Sequence, residues 1–268
     1  MFAATDYSME RPMDDRIDAG EICGPDGCEI PAASNDAALN TGALQTARID
    51  IVSDAICPWC YIGKRHLEAA LTILAQEGLR FDIHWNAFQL NPDMPAEGVE
   101  RRAYRTAKFG SWERSQQLDA RITQAAAEAG LEFHMEKLER TPNTVDAHRL
   151  ILLAGQMEPR TRAGFQDEMM EAVFIAYFIE GHDIGDHQVL ADCAASVGLE
   201  RDAALGLLAN DQGREQVLRA DTMARAAGVS GVPSFFLNGQ GLFSGAVAPE
   251  AMADAFRRAY KILPVQAA

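Results

Sequence analysis

Asp54-Ala55-Ile56-Cys57-Pro58-Trp59-Cys60-Tyr61-Ile62-Gly63-Lys64 decides the reading of this chain. It follows Arg48-Ile49-Asp50-Ile51-Val52-Ser53, which alternates and then turns apolar as a strand does. Pro58 suits a first helical turn, where its missing N–H costs nothing. Ile62, His66, Leu67, Ala70, Leu71 and Leu74 then recur at helical spacing until Gly78 ends the run. A strand that ends in Cys-x-x-Cys and opens a helix puts the first sulfur at a helix N-terminus. There, unpaired backbone N–H groups and the macrodipole stabilise a thiolate, the form that attacks disulfides. The spacing points to a dithiol–disulfide redox pair. Cys57 is expected to be the more exposed nucleophile, and Cys60, one turn inside the helix, the buried resolving thiol. Two intervening residues put both sulfurs on one face, close enough to bond.

Outward from this stretch, residues 81–90 alternate (Phe81, Ile83, Trp85) as a second strand, and strand–helix–strand is a parallel crossover unit. Asn91-Pro92-Asp93-Met94-Pro95 stops it. From about Glu97 to Ala227 nearly everything has helical periodicity, in segments 100–130, 144–156, 161–180, 186–197, 201–209 and 212–227. After Val229-Ser230-Gly231-Val232-Pro233 come two short strands, 234–237 and 241–244, joined by Asn238-Gly239-Gln240 as a hairpin signal. Pro249-Glu250 opens a last amphipathic helix with Met252, Ala255, Phe256 and Tyr260 on its apolar face. The order βαβ, helices, ββα predicts an α/β thioredoxin-like fold with a helical domain inserted between its two halves. Residues 47–96 and 228–263 form the thioredoxin-like domain, and 97–227 the insertion.

The chain has 268 residues and 48% hydrophobic content, enough for one large domain or two small ones sharing a core. A net charge of −15 argues against nucleic acid and anionic membrane surfaces as partners. No apolar run reaches the ~18–20 residues that span a bilayer. The first residues carry early acids and lack the apolar core of a secretory signal, so the expected location is the cytoplasm. Five cysteines make no disulfide scaffold, and in a reducing compartment close pairs are redox-active or metal-binding.

Three separated motifs carry a family resemblance: the 54–64 stretch, Asn91-Pro92-Asp93-Met94-Pro95, and Gly228-Val229-Ser230-Gly231-Val232-Pro233-Ser234-Phe235. Together they resemble the DsbA-like oxidoreductases of the FrnE subfamily, over about residues 48–262. The resemblance implies a thioredoxin fold, a helical insertion, thiol–disulfide chemistry and a cis bond before Pro233. Pro233 cannot donate a hydrogen bond, which leaves the Val232 backbone free to pair with a bound peptide or glutathione. Kappa-class glutathione transferases and hydroxychromene-carboxylate isomerases share the architecture, generally without the Cys-x-x-Cys and with a Ser near that place; this chain departs from them in having both cysteines. Relatives are often dimers, so a homodimer is open to it.

The substrate-binding candidates are Trp59, Val232 and Pro233, with Trp59 offering an apolar surface. Trp59 brings no charge to the pair, which is therefore expected to be less oxidising than Cys-Pro-His-Cys. The expected activity is reduction or isomerisation of protein disulfides without a cofactor or metal, glutathione being a candidate redox partner. Two alternatives stand beside it. One is a glutathione-dependent transferase or isomerase acting on a small molecule. The other is a zinc-binding or redox-sensing module, because Cys57 and Cys60 with Cys23 and Cys28 can make a four-sulfur site; the strand–helix context and Pro233 favour redox work.

Residues 1–46 hold nine acids against two bases and read as a disordered acidic tail. Within it, Cys23-Gly24-Pro25-Asp26-Gly27-Cys28 forms a turn whose sulfurs can meet. The linker after it reaches about 24 Å, so Cys23 and Cys28 are candidates for a second redox pair serving Cys57. Asp54 reads as a turn or cap residue, with proton acceptor as the alternative. Cys193 reads as a core thiol. His182, Asp183, Asp186 and His187 read as an interhelical loop with Asp186 as N-cap rather than metal ligands. Phe174, Tyr177 and Phe178 read as core of the insertion or lining of a substrate cleft.

Overall fold

Burial along the first strand sets the architecture. Ala47 and Ile49 point inward and Thr46 and Arg48 outward, but from Ile51 to Ser53 every residue is buried. That pattern belongs to a central strand covered on both faces. A computed structural model describes residues 46–158 and 161–262 of the chain. In it β1 (Thr46–Ser53), α1 (Pro58–Gln76) and β2 (Arg80–Ala87) form the expected crossover, with β1 and β2 parallel from Thr46↔Arg80 to Ser53↔Ala87.

The inserted segment begins with β3 (Val99–Glu100), α2 (Arg101–Phe109) and α3 (Trp112–Glu128). The single helix expected over 100–130 is thus two. Gly110 ends α2 in the left-handed region (φ 88°), and Ser111 caps α3 by accepting from Arg114 N at 3.1 Å. A 3-10 turn (Met135–Lys137) and β4 (Arg140–Thr141) follow, β4 pairing antiparallel with β3. This ribbon of two-residue strands is too short to leave a period in the sequence. The remaining helices are α4 (Val145–Met157), α5 (Phe165–Phe174), α6 (His187–Ser196), α7 (Arg201–Leu208) and α8 (Arg214–Ala226). The helix expected over 161–180 begins only after Gly164, and its last residues, Ile175–Ile179, widen into a π-turn. Asp186 does cap α6, accepting from Gln188 N at 2.7 Å.

β5 (Ser234–Leu237) returns antiparallel to β1, and β6 (Gln240–Ser244) completes a sheet of order β2-β1-β5-β6. The last helix, α9 (Pro249–Ile262), packs beside α1. Its Phe256 meets Phe81, Phe235 and Phe243, one from each of β2, β5 and β6. This is the thioredoxin-like α/β architecture with inserted helices, and sheet and insertion belong to one compact unit. No helix among the described residues is long and apolar enough to cross a membrane.

Three features tie the inserted helices to the sheet and to α1. Gln166 of α5 reaches the open edge of β2, where its Oε1 accepts from Trp85 N at 2.9 Å and its Nε2 donates to Trp85 O at 3.0 Å. A side-chain amide thereby takes the place of a neighbouring strand. Tyr61 of α1 stacks between Phe174 (4.8 Å) and Phe133 (5.6 Å), and Phe133 stacks in turn on Phe178 (4.8 Å). Phe174, Tyr177 and Phe178 are therefore core residues. Finally, Lys64 of α1 is buried to 3% exposure among Glu68 (2.5 Å), Asp167 (2.9 Å) and Glu171 (3.1 Å). Arg65 joins the same cluster through Glu68 and Glu171.

Candidate active site

The end of β1 delivers the chain into a tight turn. Cys57 N donates to Asp54 O at 3.0 Å, Cys57 is the N-cap of α1 with extended backbone (φ −88°, ψ 112°), and Pro58 is the first helical residue. No side chain caps this helix, so its free N–H groups and positive dipole end are left beside the Cys57 sulfur. Cys60 lies one turn on, its N–H donating to Cys57 O at 3.0 Å. Both are free thiols in this structure.

The β5 arm covers the pair. The Val232–Pro233 peptide bond is cis, and the Cys57 thiol donates to Val232 O at 3.5 Å. The Val232 amide has no backbone carbonyl partner among the described residues. Pro233 comes this close because residue 63 is glycine: a Cβ on Gly63 would stand 3.0 Å from Pro233 Cγ. Gly63→Ala is expected to displace the proline loop by a few tenths of an ångström while raising helix propensity by about 1 kcal/mol. Thiol-disulfide turnover should fall on the order of tenfold with Tm little changed, a split that a stopped-flow assay beside a thermal melt will show.

Cys57 is the more exposed of the two thiols, but only slightly. Cys57 is 3% exposed and Cys60 fully buried, and the Val232 carbonyl lies on the Cys57 thiol. Trp59 is half-buried and packs against the core. Burial pushes the Cys60 thiol well above its ordinary pKa, and Cys57 adds to the rise; the Ser53 side chain and the Asp54 backbone oppose it.

Asp54 is more than a turn residue. Its backbone carbonyl makes the turn, but its carboxylate is completely buried. Oδ2 accepts from Leu90 N at 2.7 Å, and Oδ1 lies 3.4 Å from Nε2 of His148 on α4, a side chain only 3% exposed. Sequence reasoning missed His148. It sits on the buried face of a regular helical pattern with Val145 and Ile151, and nothing local marks it as different.

The other candidates fall elsewhere. Cys193 is a buried thiol on α6 donating to Ala172 O at 3.7 Å; burial, with Glu180 and Asp192, pushes it up to about 12. His187 bonds Asp146 at 2.9 Å, and Asp183 pairs with Arg140 at 3.2 Å, so the 182–187 loop is held by ordinary ion pairs. No group of three or more His, Cys, Asp or Glu among the described residues is placed to hold a metal. Cys23 and Cys28, the candidate second pair and the other half of the four-sulfur alternative, lie outside the described residues.

Known proteins share this fold. A probable DsbA oxidoreductase from Streptomyces coelicolor superposes with a TM-score of 0.71 at 27% identity, over 83% of this chain and 94% of that one. The cytosolic disulfide reductase DsbM from Pseudomonas aeruginosa shares the fold at 18% identity and a TM-score of 0.57, over 81% and 100%. A 2-hydroxychromene-2-carboxylate isomerase does so at 19% and 0.57, over 81% and 100%. The uncharacterized protein YwbO of Bacillus subtilis is 27% identical over 155 residues, 58% of this chain and 68% of its own length. The model of the DSBA-like thioredoxin domain matches residues 48–257, which include both cysteines, the inserted helices and the cis proline. The chain belongs to the DSBA-like thioredoxin domain family.

Proposed function

We propose that this protein is a thiol–disulfide oxidoreductase with Cys57 and Cys60 as its redox pair, reducing or isomerising protein disulfides in the cytoplasm. One observation carries the reading: Cys57 stands at the uncapped N-terminus of α1, against the Val232 carbonyl, with a second thiol one turn behind it. A Cys57 thiolate attacks a substrate disulfide, forming one S–S bond and releasing one substrate thiolate. Cys60 then attacks Cys57; the Cys57–Cys60 bond forms, the mixed disulfide breaks, and the substrate leaves with both sulfurs reduced. Two electrons have passed from the cysteine pair to the substrate. The Val232 amide, which has no backbone carbonyl partner among the described residues, with Trp59 and Pro233 nearby in the chain, is suited to receive the backbone of a peptide or of glutathione. No bound cofactor enters this cycle; glutathione is proposed as the redox partner. Membership of the FrnE subfamily, suggested by the three motifs, is part of the same proposal, as is a homodimer.

The deciding experiment is a redox titration in glutathione buffers, read by thiol labelling and mass spectrometry. One reversible two-electron step at Cys57/Cys60 is expected. Against a cytosolic poise of about −220 to −320 mV, its midpoint gives the direction of electron flow. A pair that does not titrate, or zinc released on oxidation, would remove the reading in favour of a metal site. A second, coupled step at Cys23/Cys28 would make the tail a relay.

A second reading draws on the fold shared with the isomerase: a glutathione-dependent enzyme acting on a small molecule. It needs no resolving thiol, so its activity would survive Cys60→Ser.

A further inference from the structure

We infer that His66 is a positioning residue for substrate docking: one hydrogen bond from its ring clamps the turn that holds the Val232–Pro233 loop, and so fixes where the Val232 amide meets a substrate backbone. This rests on the redox reading of the pair above. His66 lies half-buried on α1, three residues beyond Gly63 and on the same face of the helix. That face looks onto the arm that closes over the sulfurs. A Cβ on Gly63 would stand 3.0 Å from Pro233 Cγ and 3.8 Å from Ala246 Cα. Nearly one turn on, His66 Nδ1 is 2.9 Å from Val247 O. A carbonyl oxygen only accepts, so this bond keeps a proton on Nδ1.

From Val247 a chain of hydrogen bonds leads back to the site. Val247 N donates to Gly245 O at 3.0 Å and closes residues 245–247 into a three-residue turn. Gly245, in the left-handed region that glycine enters freely (φ 89°), donates its N–H to Pro233 O at 2.7 Å. Pro233 follows Val232, whose carbonyl takes the Cys57 thiol. On its other side the loop is tied by Ser234 Oγ, which donates to Gly231 O at 2.8 Å and accepts from Ser244 Oγ at 2.7 Å. Ser234 itself is fixed by pairing with Val52 of β1. The 245–247 turn lies beyond the sheet. Among the described residues, the bond from His66 is the only hydrogen bond that joins this turn to the redox helix. Gly63 thus allows the loop to come close to α1, and His66 holds it there.

The consequence falls on docking rather than on sulfur chemistry. The Val232 amide, which has no backbone carbonyl partner among the described residues, is the group proposed to donate to a substrate carbonyl. With the clamp gone, Val232 and Pro233 have more positions to occupy, and a substrate has to order them before it can pair. A disulfide that carries no peptide group never makes that pairing and is spared the cost. Attack by Cys57 is also spared, because its bond to Val232 O is given up whenever the thiol ionises.

The test compares two disulfides on the full chain. Oxidised glutathione has peptide groups that can pair with Val232 N–H; bis(2-hydroxyethyl) disulfide has none. Reduced protein is mixed with a rising excess of each, and oxidation of Cys57 and Cys60 in a single turnover is read by thiol labelling. In His66→Ala the glutathione disulfide concentration for half-maximal rate is expected to rise about five- to tenfold, the scale of one hydrogen bond, with the maximal rate within about twofold of wild type. The rate with bis(2-hydroxyethyl) disulfide should stay within about twofold as well. His66→Asn carries an amide N–H close to the place of Nδ1–H and should recover most of the loss. His66→Gln, whose amide reaches past that place, should not.

An unchanged half-maximal concentration in His66→Ala overturns the inference. So does an equal slowing with both disulfides, or equal behaviour of the Asn and Gln variants, since each marks a merely structural role. If His66→Ala does not fold, the Asn and Gln variants decide alone. If neither disulfide oxidises the wild-type pair, the oxidoreductase reading itself has failed, and this inference with it.

Discussion

Cys57→Ser is expected to lower the reduction of a protein disulfide by at least about 10³-fold, because a serine hydroxyl supplies no anion near neutral pH for the helix N-terminus to stabilise. Cys60→Ser should behave differently. Its Cys57 still attacks, but nothing releases the adduct, so mixed disulfides between Cys57 and substrate accumulate and turnover stops after one event. The two variants are distinguished by mass spectrometry of the protein after exposure to a disulfide-bonded substrate. Cys57→Ser stays unmodified and Cys60→Ser gains the mass of the substrate. Wild-type turnover in Cys57→Ser would sink the mechanism. Glutathione-dependent activity on a small molecule that persists in Cys60→Ser would transfer the assignment to the second reading.

Lys64→Met is expected to destabilise the protein by about 2–4 kcal/mol. Removing one member of a buried charge cluster usually costs about 3–5 kcal/mol, and here the carboxylates left behind keep some contact with water. For a unit of this size that is a fall in Tm of roughly 4–16 °C. The pH dependence has a definite sign. Burial alone would lower the Lys64 ammonium, but Asp167 and Glu171, with Glu68, carry it above the usual lysine value. Its contribution is therefore complete below that usual value and is lost only as pH rises through the higher folded value. Burial alone would raise Glu171, but Lys64 and Arg65 hold it below the usual carboxylate range. Its contribution is present above that range and is lost as pH falls through the lower folded value. In Lys64→Met the carboxylates repel one another, and protonation relieves them. The gap in Tm between wild type and variant should thus be widest near neutrality and narrow toward pH 4. Equal melting temperatures at pH 7 would show that the cluster holds nothing together.

Much of the fold was legible because strong local signals coincide with tertiary roles. Pro58 and the apolar spacing after it fix α1, Asn238-Gly239 fixes the β5–β6 hairpin, and Val232-Pro233 marks the arm that closes over the sulfurs. Gly110-Ser111 was an equally clear stop and start, passed over because helical periodicity continues on both sides of it. The two-residue strands β3 and β4 are held by contacts 40 residues apart, which no local period records. At the site, the cysteines and the proline arm announce themselves, whereas His148 does not: its meaning comes only from the Asp54 carboxylate that the fold brings to it from 94 positions away. How small the difference in exposure between Cys57 and Cys60 would be was not legible for a related reason. A helix N-terminus is normally open to solvent, and only the return of the chain at Val232 covers this one.

The Gln166 amide on Trp85 bears on how the molecule meets other molecules. An unsatisfied strand edge is a template on which a second polypeptide can align, whether a substrate in extended form or a copy of the same chain. At Trp85 both the donor and the acceptor of that template are already taken by a side chain anchored in the insertion. A fifth strand cannot pair there without evicting Gln166, so a partner arriving in extended form has to be accommodated elsewhere on the surface. Insertion and redox core are for this reason not interchangeable modules. Cutting the insertion away to obtain a minimal enzyme would expose an adhesive border along β2, and such a truncated chain should be recovered as aggregate.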